Sequence, residues 1–270
     1  MSDLIWLSEA QMRRIEPYFP LSHGVARVDD RRIISGIIFV IRNGLRWRDA
    51  PADYGPPKTI YNRFIRWSRL GVFNKIFSAL SAKGGKPDQL MIDATHLKAH
   101  RSSQPSQTGA EQPKVPAMQS IVGMAAEGVP RRIGRTEGGL NSNLHAVCDG
   151  RGRPLVMLLS EGQMSDYKGA ALMLDALPPA KALLGDRGYD ADWFRKALAD
   201  RNITACIPSK KSRKVPIPHD AALYRQRHKI ENMFGRLKDR RRIHTRYDRC
   251  AHTFMSAICI AATIIFWLNQ

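Results

Sequence analysis

Three acidic residues occupy positions where a carboxylate could take part in catalysis. Asp93 follows the apolar run Leu-Met-Ile, and Asp186 follows Leu-Leu-Gly. We expect each of the two to end a buried strand, where a side chain faces a crevice that ligands can reach. Glu231 lies within a basic segment, residues 219–241, that we expect to form one long helix.

Three converging carboxylates would repel one another unless protons or cations offset their charge. Carboxylate oxygens suit Mg²⁺, with Mn²⁺ as a substitute, because both are hard ions that keep coordination positions open for phosphate and water. Two such ions can clamp the attacking and leaving oxygens of a phosphoryl transfer. We therefore predict that Asp93, Asp186 and Glu231 are catalytic residues and metal ligands.

Each of these residues also has an ordinary structural explanation. Asp93 could be a turn residue, and Asp186 could cap the turn formed by the Arg-Gly-Tyr sequence that follows it. Glu231 could be a helix glutamate that pairs with Arg227, four residues earlier. The sequence alone leaves these explanations open beside the catalytic one.

The basic segment carries a second pattern. Tyr224, Arg227, Glu231 and Lys238 are spaced i, i+3, i+7 and i+14, which places them on one face of an α-helix. A carboxylate flanked by an arginine and a lysine could meet both a reacting phosphate and its neighbours. A solvated stripe of charge is the alternative interpretation.

The overall charge indicates a polyanionic partner. The 270 residues include 43 Lys and Arg against 24 Asp and Glu, which gives a net charge of +19. Such a surplus indicates a nucleic acid first, and an anionic membrane second. The four cysteines lack the spacing of a metal site, which favours a reduced, cytoplasmic protein.

Neither end of the chain predicts a membrane segment. The N-terminus carries acidic residues and no long apolar core, so we expect no signal peptide. The apolar run at residues 254–268 is shorter than the roughly 20 residues that span a bilayer. We expect this run to form a buried core helix.

Residues 1–88 predict a small all-α domain that resembles a helix-turn-helix DNA reader. We expect its third helix, residues 59–70, to direct one face inward and a basic face outward. The inward side chains are Tyr61, Phe64, Ile65 and Trp67. The outward side chains are Arg63, Arg66 and Arg69. A helical bundle with a solvated basic face is the alternative.

The pattern changes after a Gly-rich linker at residues 84–87. Apolar strands mixed with helices predict that residues 89–270 form an α/β domain. Residues 101–135, where Ser, Gln, Pro and Gly are frequent, are expected to form a mobile loop.

Several motifs together resemble a known family. The spacing Tyr-x2-Arg-x3-Glu-x6-Lys at residues 224–238 matches the signature of DDE transposases of bacterial insertion sequences. Other segments resemble the insertion-sequence-five family in particular, and the resemblance spans nearly the whole chain. These segments are NGLRWRDAP at 43–51, DATHLKAHRS at 93–102, Gly134-Arg135 with Gly138-Gly139, EGQMSD at 161–166 and GDRGYD at 185–190.

The resemblance implies a fold and a set of site residues. It implies a ribonuclease-H-like, mixed-sheet catalytic domain preceded by a DNA-binding N-terminal domain. Asp93, Asp186 and Glu231 would hold two Mg²⁺ ions. The DNA contacts that we expect are Tyr224, Arg227, Lys238 and Arg135 in the catalytic domain, and Arg63 and Arg66 in the N-terminal domain.

The resemblance also implies a function. A transposase would bind the terminal inverted repeats of its element, cleave DNA and transfer the cut strand to a target, acting as a homodimer or higher assembly at the bacterial nucleoid. Two rival interpretations stay open: a non-catalytic or domesticated DNA-binding protein, and a nuclease that cuts without joining.

Overall fold

The computed structural model describes residues 3–20, 29–103 and 131–268. The expected mobile loop at residues 101–135 falls mainly on 104–130, which lie outside the described residues.

Short helices form the N-terminal part of the chain, as predicted. Ser8 caps the first helix, with its side chain accepting a hydrogen bond from the Gln11 N–H. Asp29 caps the second helix, which ends at Gly44 with a positive φ of 67°. The helices are α1 (Glu9–Ile15), α2 (Asp30–Asn43), α3 (Pro57–Arg69) and α4 (Val72–Ala82).

The orientation that we expected for α3 is wrong at two residues. Tyr61 is exposed rather than inward, and Arg63 is mostly buried rather than outward. Asp30, at the start of α2, provides the reason: its carboxylate lies 2.9 Å from Nη1 of Arg63. The guanidinium of Arg63 also lies over the ring of Trp67, 5.3 Å from its centroid. Arg66, by contrast, is exposed as expected.

One mixed sheet contains the strands of the described residues. β3 pairs antiparallel with β1, β2 and β4, whereas β5 and β7 run parallel to β1, and β6 runs parallel to β5. The order β4-β3-β1-β5-β6 is the ribonuclease-H-like arrangement that we expected. The strands are β1 (Gln89–Ala99), β2 (Gly134–Thr136), β3 (Gly139–Asp149), β4 (Pro154–Glu161), β5 (Ala182–Leu184), β6 (Thr204–Cys206) and β7 (Thr245–Arg246).

Helices cover both faces of this sheet. Leu90, Ile92 and Val147 point to one face and pack in a buried cluster with Ala170 of α5 and Phe194 of α6. The opposite face packs against α8 and the C-terminal helix. The helices of this part are α5 (Asp166–Met173), α6 (Asp192–Ala199), α7 (Ala221–Tyr224), α8 (His228–Lys238), α9 (Arg241–His244) and α10 (Ala251–Ala262).

The single long helix that we predicted across residues 219–241 is wrong in its continuity. A tight 3₁₀ turn, Arg225–Arg227, separates α7 from α8. The ring nitrogen Nδ1 of His228 lies 2.8 Å from the carbonyl oxygen of Arg225. In a continuous α-helix, that carbonyl oxygen would instead accept a hydrogen bond from a backbone N–H one turn later. The backbone of Arg227 nevertheless keeps right-handed helical dihedral angles.

The C-terminal helix is a core element, as predicted. Ala251–Leu268, which includes α10 and a short π-helical end, is long and apolar enough to cross a membrane by length and composition. However, 78% of it is buried inside the protein. Its side chains share one buried cluster with those of the N-terminal helices, including Ile37, Phe64 and Phe77.

Candidate active site

The candidate site opens along β1, between its two parallel neighbours. β5 pairs only with Gln89 to Met91, and β7 pairs only with Lys98 and Ala99. Asp93 lies in the stretch between these pairings, so our expectation that it ends a strand is wrong. The reason is that β3 pairs with β1 as far as Lys98, which extends the strand beyond Asp93.

Arg227 brings two of the predicted catalytic carboxylates together. Its Nη1 lies 2.9 Å from Oδ2 of Asp93, and its Nη2 lies 3.1 Å from Oε1 of Glu231. The side chains of Asp93 and Arg227 are 16% and 17% exposed, whereas that of Glu231 is 57% exposed. The pairing of Glu231 with Arg227 that was one alternative explanation therefore occurs, and it links α8 to β1.

The surroundings of Asp93 disfavour its negative charge. Burial raises the pKa of Asp93 to about 6, against the lowering effects of Arg227 and of the Ala94 N–H, which donates to Oδ1 at 2.9 Å. The carboxylates of Asp186 and Asp166 raise this pKa further, so both lie within electrostatic reach of Asp93. A bound cation would relieve this repulsion.

Asp186 follows β5 by two residues and caps the 3₁₀ turn Arg187–Tyr189. Its Oδ1 accepts a hydrogen bond of 2.8 Å from the Gly188 N–H. The capping role that we considered as an alternative is thus present. This bond occupies Oδ1, and the capped turn holds the carboxylate at the end of β5, next to the open stretch of β1.

Asp166 is a fourth acidic residue at this place, and our sequence reasoning gave it no role. It is the first residue of α5. Burial raises its pKa, as does the carboxylate of Asp186, whereas His96 and a hydrogen bond from Asn143 lower it. The available signal was its position after Ser165, at the predicted start of a helix that follows the apolar strand of residues 153–159.

Two further residues of the predicted DNA-binding set lie beside the carboxylates. Nζ of Lys238 donates a hydrogen bond of 2.6 Å to Oγ1 of Thr95, two residues after Asp93 on the same face of β1. Burial lowers the pKa of Lys238. Tyr224 makes a hydrogen bond with Arg227.

The other three predicted DNA contacts lie on other elements. Arg135 is exposed on β2, at the outer edge of the sheet. Arg66 is exposed on α3, and Arg63 is paired with Asp30.

Asp190, close to Asp186 in sequence, has a structural function. Its side chain is fully buried and accepts hydrogen bonds from Arg195, Arg213 and the backbone of Lys210. Burial alone would raise the pKa of Asp190, but these donors outweigh burial and hold it well below its ordinary value. These bonds join α6 to the segment around residues 210–213.

The chemistry of the donor set fits a hard divalent cation, because Asp93, Asp186 and Glu231 offer only carboxylate oxygens. Within the described ranges, no three acidic, histidine or cysteine side chains are already gathered closely enough to hold a metal ion. The guanidinium of Arg227 instead lies between Asp93 and Glu231 and supplies the positive charge there.

Comparison with protein families gives two matches. The family described as "Transposase DDE domain" matches residues 84–266, about two thirds of the chain. The family described as "Putative transposase of IS4/5 family" matches residues 7–77.

Curated relatives agree with these matches. The chain is 34% identical over 131 residues to a putative transposase for insertion sequence element IS6501 from Brucella ovis, covering 48% of this chain and 100% of that protein. It is 29% identical over 156 residues to a putative transposase for element IS402 from Burkholderia cepacia, covering 51% of this chain and 72% of that protein.

Solved structures that are similar to this chain include two transposase complexes. A piggyBac transposase synaptic complex with hairpin DNA is 10% identical, with a TM-score of 0.46, and the match covers 95% of this chain and 70% of that one. A pre-cleavage Mos1 transpososome is also 10% identical, with a TM-score of 0.27, and the match covers 82% and 83%.

Proposed function

Because the chain belongs to the DDE transposases of bacterial insertion sequences, we propose that it binds the terminal inverted repeats of its element, cleaves the DNA and joins the freed end to a target. One observation carries this proposal. Arg227 contacts Asp93 on β1 and Glu231 on α8, while Asp186 lies within electrostatic reach of Asp93. Arg227 thus links two acidic residues that are distant in sequence, and a third lies within electrostatic reach of one of them.

These three residues would hold two Mg²⁺ ions, with Mn²⁺ as a substitute. When bound, such ions stabilise the charge that develops on the attacking and leaving oxygens of a phosphoryl transfer. The carboxylate of Asp93 is mostly buried and is bonded to the Ala94 N–H, so this ligand is held in place before DNA arrives.

The basic residues of the same face would bind and orient the DNA. Arg227 can pass its hydrogen bonds from the carboxylates to a phosphate, since a guanidinium binds both groups in the same geometry. Lys238 is hydrogen-bonded to Thr95, which lies two residues after Asp93 on the same face of β1. The charge of Lys238 would attract the phosphate backbone of the element's end there. Tyr224 would contact the same strand.

The chemistry consists of two exchanges at phosphorus. In cleavage, the oxygen of water bonds to phosphorus, the bond from phosphorus to the 3′ oxygen breaks, and the freed 3′ oxygen takes up a proton while the attacking water loses one. In joining, that 3′ hydroxyl loses its proton and bonds to a target phosphorus, and a 3′ oxygen of the target leaves as a hydroxyl. Both steps depend on positioning and charge stabilisation.

The partners that we propose are the double-stranded ends of the element and the target DNA, bound by a homodimer or larger assembly at the nucleoid. The net charge of +19 supports a DNA partner. The exposed Arg66 on α3 and Arg135 on β2 would contact DNA away from the carboxylates. Recognition of the ends by the helices of residues 1–88, as a DNA-binding domain that precedes the catalytic domain of residues 89–270, is part of the same proposal.

Substitution of Asp186 by Asn tests the catalytic assignment, because it keeps the side chain's size and removes its charge. With the element's own ends and Mg²⁺, we expect cleavage to fall on the order of a hundredfold or more. Joining of pre-cleaved ends should fall equally, while DNA binding persists or tightens. The exposed Asp175→Asn serves as the matched control and should behave like the wild type.

The same assay separates the rival functions. A wild-type protein that cuts ends but never joins pre-cleaved ends would be a nuclease, and one that binds ends without either reaction would be a non-catalytic DNA-binding protein. Near wild-type joining by Asp186→Asn would show that Asp186 does not hold a catalytic metal.

A further inference from the structure

Asp166 lies close to Asp186 at the turn that follows β5. At Gly188, the position that a Cβ atom would occupy is 2.9 Å from Oδ1 of Asp186 and 3.4 Å from Oδ2 of Asp166. These two distances place the two carboxylate oxygens within about 6 Å of each other. A side chain at position 188 would crowd both carboxylates, and glycine leaves that space open.

Neither of these two carboxylates is neutralised by a basic side chain among the residues that the structure describes. The other mostly buried acidic side chains there pair with arginine: Asp30 with Arg63, Asp93 with Arg227, Asp149 with Arg153, Asp190 with Arg195 and Arg213, and Asp248 with Arg242. Two close carboxylates without such a partner favour the binding of a cation.

A buried amide supports Asp166 from the sheet. Asn143 on β3 is 3% exposed, donates to the Met164 carbonyl at 3.3 Å and hydrogen-bonds Asp166. Its Oδ1 atom is buried and has no hydrogen-bond partner within the described part of the chain. His96, directly opposite Asn143 in the register of β1 and β3, lies within electrostatic reach of Asp166. A ligand with hydrogen-bond donors, such as a hydrated ion bound at Asp166, could satisfy this buried oxygen.

We propose that Asp166 is a fourth carboxylate of the active centre and ligates a divalent cation together with Asp186, an inference that rests on the proposed function. The residue reaches the site from α5, on the other side of the sheet from Glu231 on α8. The centre would therefore draw ligands from β1, from the end of β5 and from a helix on each face. An ordinary function in helix stability is the competing explanation, since an acidic residue in the first turn favours a helix.

Mn²⁺ binding to the full-length protein without DNA separates these explanations. Titration calorimetry and electron paramagnetic resonance would be applied to the wild type and to Asp166→Asn, with Asp175→Asn as the control. Asp175 is exposed and lies just beyond α5, so its variant loses the same charge outside the site. We expect Asp166→Asn to weaken Mn²⁺ binding tenfold or more, by analogy with losses around metal sites of about 10–100-fold. Asp175→Asn should match the wild type.

The melting temperature distinguishes a loss of metal binding from a loss of folding. Mn²⁺ should raise the melting temperature of the wild type, since a ligand that binds only the folded state stabilises it. Asp166→Asn should melt like the wild type in EDTA and gain less from Mn²⁺. Asp166→Glu keeps the charge and should recover part of the affinity.

The outcomes distinguish this inference from the proposed function. If Asp93→Asn and Asp186→Asn lose Mn²⁺ while Asp166→Asn binds like the wild type, the fourth ligand is refuted and the proposed function stands. If the wild type binds no Mn²⁺, or Asp93→Asn and Asp186→Asn bind it normally, both are refuted.

Discussion

At the candidate site, the guanidinium of Arg227 lies between two carboxylates and pairs with both. It lies 2.9 Å from Asp93 and 3.1 Å from Glu231. Since the same guanidinium is suited to phosphate, arrival of DNA and metal would exchange its partners rather than leave a charge unpaired. Under the proposed function, this one residue would balance the charge of the site before substrate binds and would hold substrate afterwards.

The burial of Asp93 makes stability depend on pH. Its pKa of about 6 in the folded protein exceeds its ordinary value of 3.8. The folded state therefore holds this proton more tightly, and the contribution of Asp93 to stability falls as pH rises from about 4 to about 6. At 1.36 kcal/mol per pH unit, the loss is about 3 kcal/mol.

The measurement is urea unfolding in EDTA at pH 4 to 7. We expect the free energy of unfolding of Asp93→Asn, relative to the wild type, to rise across this window and to stay constant above it. Asp175→Asn should show no such rise. A relative stability of Asp93→Asn that does not change with pH would contradict the burial argument.

Lys238 should serve DNA binding more than chemistry. Lys238→Ala removes a cation beside β1, so we expect weaker binding of the element's ends, with residual cleavage at high protein concentration. Binding should also depend less steeply on salt, because one phosphate contact is lost. Fluorescence anisotropy at several salt concentrations measures both effects, with Lys196→Ala, exposed on α6, as the control. Loss of cleavage at saturating protein would instead place Lys238 in the chemistry.

At the scale of elements, α3 carries arginines with two different tasks. Arg63 joins α3 to α2 through Asp30, whereas Arg66, one turn further along, is exposed. Arg63→Ala should lower stability by about 3 kcal/mol, because it removes the arginine that pairs with the mostly buried carboxylate of Asp30. Arg66→Ala should leave stability unchanged and weaken DNA binding. Melting curves and binding isotherms of both variants check this division, and weaker binding by Arg63→Ala alone would reverse it.

For the whole molecule, the N-terminal helices and the C-terminal helix stabilise one another. Ile260 on α10 is 5% exposed and belongs to the same buried cluster as Ile37 and Phe77. The N-terminal and C-terminal helices therefore meet in one core, although the candidate-site residues lie between them in sequence.

Ile260→Lys tests this shared core. A lysine there would bury a charge without a partner, so we expect a loss of several kcal/mol in the free energy of unfolding. Val215→Lys, at a position that is 76% exposed, should change stability little. A wild-type melting temperature for Ile260→Lys would show that α10 is not essential to the core.

The sequence by itself determined the residue types, the element types and the family resemblance. Caps at Ser8 and Asp29 and the stop at Gly44 are local hydrogen-bonding and backbone preferences, so they are readable from a few neighbouring residues. The i, i+4 pairing of Arg227 with Glu231 is local in the same sense, and the structure contains it.

Only the tertiary structure decided which distant groups meet, because those contacts depend on packing between elements that no local pattern encodes. β1 continues past Asp93 because β3 pairs with it, and Arg63 turns inward because Asp30 lies at the start of α2. Asp166 lies close to Asp186 because α5 packs against the turn that follows β5, where Gly188 leaves space for both carboxylates. Long-range pairing and desolvation thus determine how readily the carboxylates of the site ionise. The sequence was enough to predict three of these carboxylates, but not which residues contact them.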